Sequence, residues 1–205
     1  MEAVLFKSVI SITIAVTAIF LWPYLGKAYA AEIIAPKEAK FLGMQVATMD
    51  LQTVRQQLWQ IGGFKISRST RYQHNIDKYF PKTRLKDSYK LTFHYNDLGK
   101  VTRFTRVYRP YSNVTDNDNT LLTTRQLANE LASIFGGAKI ERKGYGGFRS
   151  YLSYSWEDDV VKIRIDRIGG HPLGDVFVEY KLKQNDPYAT QSLIETQIPN
   201  FVMGI

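Results

Sequence analysis

Three histidines, His74, His94 and His171, are the side chains best suited to proton transfer near neutral pH, and each has an aspartate close by in sequence, Asp77, Asp97 and Asp175. Nearness in sequence is not enough, because a general base must be held within hydrogen-bond reach of its partner. His94 alternates with Phe93 and Tyr95, so it points to the strand face opposite the aromatic residues. No two histidines stand four residues apart or share a short loop, and there is no cysteine, so a zinc site is not expected. The string Asp116-Asn117-Asp118-Asn119 begins like a calcium loop, but the positions needing Gly and Glu hold Leu121 and Leu127. Gly144-Tyr145-Gly146-Gly147 is glycine-rich without the Lys-Ser/Thr of a phosphate cradle. Its neighbours Arg142, Lys143 and Arg149 leave the option that backbone amides and basic side chains hold an anion there. The expectation is no catalytic residue, no metal and no cofactor. A hydrolase or small-ligand binder using a histidine and the glycine-rich loop is the alternative.

Charge says more. Of 205 residues, 27 are Lys or Arg and 19 Asp or Glu, a net charge of +8. Lys162 and Arg164 alternate with Val161 and Ile163, and Lys181 and Lys183 with Val178 and Tyr180, so these four cations should share the solvent face of a sheet. Arg103 and Arg106 have opposite parity and should not share a face unless a bulge intervenes. Phe177 is the only aromatic interleaved with the basic positions, which speaks against a stacking platform for nucleic acid. An acidic protein face, lipid headgroups or anionic glycans are the partners such a surface suits. Residues 185–205 form an apolar tail with Leu193, Ile194, Phe201 and Val202; Phe201 is its candidate binding residue, because such a tail must pack against something.

The elements that would position these residues follow from periodicity. Asp50 caps a helix carrying Leu51, Val54, Leu58 and Ile61 on one face, and Gly62-Gly63 ends it. An extended segment runs from Phe64 through Tyr72, and residues 74–88, polar and broken by Pro81, read as a loop. Tyr89, Leu91, Phe93 and Tyr95 mark a half-buried strand, and Asn96 to Lys100 turn it into Val101–Arg109. The order then recurs. Thr123, with Gln126 closing a capping box, starts a helix of Leu127, Leu131 and Ile134 that Gly136-Gly137 ends. Strands follow at Lys139-Ile140, Leu152–Trp156, Val161–Ile165 and Val176–Leu182. Gly62-Gly63, Lys65-Ile66, Leu91 and Phe104 map onto Gly136-Gly137, Lys139-Ile140, Ile165 and Val178 with one offset of 74.

The expected fold is therefore α+β, with two tandem helix-plus-antiparallel-three-strand units: a tether at 31–47, a first unit at 48–110, a linker at 111–121, a second unit at 122–184 and the tail. Over residues 42–183 this element order resembles the β-lactamase-inhibitor-protein fold and the related single-unit fold of small outer-membrane assembly lipoproteins. The resemblance implies a protein that presents a curved sheet face to another protein. The inhibitor's cysteines and the lipoproteins' acylated cysteine are missing here, so neither function transfers.

Residues 1–30 set the address. Lys7 precedes an uncharged apolar stretch from Val9 to Leu25, and Ala28-Tyr29-Ala30 offers small residues where a signal peptidase needs them, placing cleavage after Ala30. A retained single-span anchor is the other reading, with Trp22 and Tyr24 at the membrane interface. Either puts the folded part outside the cytoplasm, in the periplasm or secreted, facing another envelope or secreted protein.

Overall fold

The computed structural model describes residues 33–67, 75–82, 85–112, 120–144 and 150–185. The signal segment, His74, the Asp116 string, residues 145–149 and the tail from Asp186 lie outside the described residues.

The fold is α+β. Helix α1 (Leu51–Ile61) and helix α2 (Thr124–Phe135) are where the 3.6-residue periodicity places them. Asp50 Oδ1 accepts the Thr53 N–H at α1, and Thr123 with Gln126 forms the full capping box at α2. Gly62 and Gly136 then take positive φ (69° and 77°), which lets the chain turn out of each helix at little steric cost.

Strand β1 (Lys40–Phe41) and β2 (Met44–Gln45) make a small hairpin. The main sheet contains β3 (Phe64–Ser67), β4 (Ile76–Pro81), β5 (Ser88–Tyr95) and β6 (Val101–Tyr108). A short pair, β7 (Tyr111–Ser112) and β8 (Thr120–Leu121), leads to α2. Then come β9 (Lys139–Gly144), β10 (Ser150–Glu157), β11 (Val161–Arg167) and β12 (Val176–Leu182). The sheet order is β3-β4-β5-β6-β12-β11-β10-β9, every neighbour antiparallel. The first four strands occupy one half and the last four the other, with β6 against β12 at the centre.

Pleating gives the sheet two unlike faces. One carries Tyr79, Leu91, Phe93, Phe104, Val178, Ile163 and Ile165, all essentially buried and in one cluster with Val54 and Leu58 of α1 and Leu127 of α2. Each such side chain contributes roughly 1.5–3 kcal/mol on burial. Phe104 sits at the centre of the stack, with ring centroids 4.6 Å from Phe93, 4.5 Å from Phe41 and 5.5 Å from Tyr180.

Four expectations need correction. The described part of the expected 31–47 tether, residues 33–47, is no tether: Ala39, Phe41, Met44 and Val46 are buried in the core, and Phe41 packs on Phe104. The loop expected over 74–88 contains β4, so four strands, not three, follow α1. The alternation was hidden because the inward positions of β4 are Asp77, Tyr79 and Pro81 rather than aliphatics. Tyr89 was expected to face inward, but a register shift between Ser88 and Lys90 leaves it half exposed, its ring edge on Phe80. Finally, β12 ends at Leu182, and Lys183 begins a 3-10 turn instead of continuing the strand.

Candidate functional site

The second face of the sheet carries polar side chains and bounds a concavity of about 1390 Å³. Cross-strand register shows how the sequence builds it. Lys162 on β11 lies opposite Lys181 on β12, Lys181 opposite Arg103 on β6, and Arg103 opposite His94 on β5. One step along the strands, Arg164 lies opposite Glu179, and Glu179 opposite Thr105. Lys139, Glu141 and Lys143 close the β9 edge.

Six basic and three acidic side chains line the concavity, leaving three net positive charges with His94 neutral. Glu179 is shared between Arg164 (3.1 Å) and Arg103 (3.8 Å), and Glu157 between Lys162 (3.2 Å) and Lys183 (2.6 Å). Asp166, nearly buried, accepts hydrogen bonds from Lys143 Nζ (2.8 Å) and the Tyr151 hydroxyl (2.6 Å). Burial opposes the charge on Asp166, but these donors and the Arg167 N–H outweigh it and hold its carboxyl below the usual range. The same burial and hydrogen bond push the Tyr151 hydroxyl up to about 12. Arg164 lies over the Phe177 ring at 5.5 Å, and the Nε atoms of Arg164 and Arg167 are buried without a hydrogen-bond partner.

His94 is the histidine in this concavity. Its burial, then the charges of Arg103 and Lys78, lower its pKa to about 4. Arg103 Nη2 stands 3.2 Å from His94 Nε2, and a guanidinium can only donate, so that ring nitrogen accepts and its lone pair is occupied. A base so engaged is poorly placed to take a proton from a substrate. His171 sits in the β11–β12 connection, where its Nδ1 accepts the Leu173 N–H.

Of the residues singled out from sequence, Lys162, Arg164, Lys181 and Lys143 line this one concavity. Arg142 alternates with Lys143 on β9 and bonds Ser150 Oγ instead, outside the lining. Lys183 reaches Glu157 and the Asp158 carbonyl from beyond the strand end. Arg149 and Phe201 lie outside the described residues. Arg103 and Arg106 fall on opposite faces: Arg106 turns inward, bonds Asp87 and Ser88 and lies 4.5 Å over the Tyr108 ring. His94, placed by its alternation with Phe93 and Tyr95 on the face opposite the aromatics, does line the concavity. Arg103 joins it although the expected basic face did not include it; its signal is the same parity, alternation with buried Phe104.

Among the described residues no group of three acidic or histidine side chains is arranged to hold a metal, and no helix is long and apolar enough to cross a membrane. Compared with known protein families, curated proteins and solved structures, the chain matches none.

Proposed function

We propose that this chain is an exported, non-catalytic protein-binding module that receives an acidic surface of another envelope or secreted protein on the open face of its sheet. The observation that carries the proposal is the line of like charges Lys162, Lys181 and Arg103 on three adjacent strands. Like charges directly opposite in a sheet are destabilising, and Glu179 and Glu157 offset only part of this row, so the lining of the concavity keeps a positive excess that an anionic partner would meet. The engaged lone pair of His94 supports binding over chemistry. Export rests on residues 1–30, with the single-span anchor as its variant. The two helix-then-four-strand halves, with Gly62-Gly63 matched by Gly136-Gly137 at the offset of 74, favour tandem units of common origin. Leu98 and Leu173 are each 86% exposed, which suits edges that meet a partner. An inhibitor or immunity protein and an accessory subunit of an envelope assembly both fit this reading.

Capture from envelope extracts with the tagged full chain and with a Lys162→Glu/Lys181→Glu variant tests it. The expected result is a stoichiometric partner held by the first and lost, at least tenfold, by the second. Equal recovery by both would remove the face from the function. The small-ligand reading keeps one observation in its favour, the presence of His94 in the concavity. It requires His94→Asn to abolish function, whereas the binding reading expects a modest effect.

A further inference from the structure

We infer that the element docking on the open face is an acidic α-helix laid across the strands, with carboxylates on one stripe over the row Arg103–Lys181–Lys162. This rests on the proposed function and narrows its partner.

The geometry of the row sets the repeat. Its members are cross-strand neighbours on β6, β12 and β11. Adjacent strands lie about 4.8 Å apart, so the three positions fall near 0, 5 and 10 Å along a line perpendicular to the strands. An α-helix rises about 1.5 Å per residue, so side chains at i, i+3 and i+7 fall near 0, 4.5 and 10.5 Å and on one face. An extended peptide on the same line repeats its facing side chains about every 6.7 Å and is some 4 Å out of step by the third. The concavity is bounded by strands from both halves of the sheet, so an element lying across the strands meets all three members of the row. Arg103 and Lys162 are already paired within the face, with Glu179 at 3.8 Å and Glu157 at 3.2 Å, so the carboxylates of the helix must compete with these two acids for the row.

Two synthetic peptides of about 20 residues, long enough to populate helix, test the repeat. One carries glutamates at i, i+3, i+7 and i+10 on an alanine–glutamine background; the other has the same composition with the glutamates spread around every face. Binding is measured at low salt to the full chain, to Lys162→Gln/Lys181→Gln, and to Lys86→Gln as a surface control, with thermal midpoints confirming that each variant is folded. The inference expects the striped peptide to bind at least tenfold tighter than the spread one. It expects a tenfold loss in the double variant and none in the control. It also expects the His94 imidazole, followed by NMR, to titrate at higher pH in the complex, because the peptide's carboxylates offset Arg103. Equal binding of the two peptides, still lost in the double variant, would overturn the helical repeat and leave the acidic-partner reading standing. Failure of both peptides, or tighter binding of a sulfated oligosaccharide or of phosphatidylserine-containing vesicles, would overturn the inference and the protein-partner reading together.

Discussion

Asp77 has no exposed surface, yet its carboxylate accepts two hydrogen bonds from Arg55 of α1, at 2.7 and 3.0 Å, with the Tyr79 and Tyr95 hydroxyls each at 3.5 Å. Removing one partner of such a pair strands the other, so Asp77→Ala should cost about 3 kcal/mol, read as a shift in the urea midpoint. Replacing both, Arg55→Met with Asp77→Leu, should recover most of that loss. His94 gives a pH signature of its own. Above its ordinary pKa of 6.5 the ring is neutral in both folded and unfolded chains, so it does not affect stability there. Between 6.5 and about 4 the unfolded chain takes up a proton that the folded chain refuses, and stability falls as pH drops through that window. Thermal midpoints at several pH values should show this slope in the wild type and a shallower one in His94→Asn.

At the scale of elements, the parts legible in the sequence were those where local rules agree. Both helices carry an N-cap side chain, a periodic apolar face and a terminal glycine at positive φ, and both lie where those signals put them. Thr123→Ala removes the capping box and should destabilise the chain by about 1 kcal/mol in chemical unfolding. At Gly174 a β-carbon would press into the Ile168 carbonyl, so Gly174→Ala should disturb the β11–β12 connection and lower the thermal midpoint by several degrees. What could not be read was settled by tertiary partners. Strand β4 turns a carboxylate inward, and nothing in Ile76-Asp77-Lys78 says that Arg55 waits 22 residues earlier. The Ser88/Lys90 register shift depends on β6, and the burial of Phe41 on Phe104, so neither is written in local periodicity. The site shows the same division. Lys162, Arg164 and Lys181 could be placed on one face by alternation within each strand, whereas their alignment into a row across β6, β12 and β11 needed the central pairing of the two halves.

Among the described residues, one face of the sheet is closed by helices and the β1–β2 hairpin, and the other carries the basic concavity. That asymmetry is the central claim, and an anionic partner bound there should weaken as ionic strength rises past physiological values. The chain contains no cysteine, so single introduced thiols report position without background. Thr105→Cys is partly exposed opposite Glu179, on the sheet face that carries the row, and Gln56→Cys is exposed on α1, on the other side of the sheet. Each carries a short photoactivatable cross-linker in cells, and adducts are read by mass spectrometry. Adducts to one partner from Thr105→Cys and none from Gln56→Cys are the expected result. The same partner cross-linked from Gln56→Cys alone would contradict the account and move the interface to the helical side.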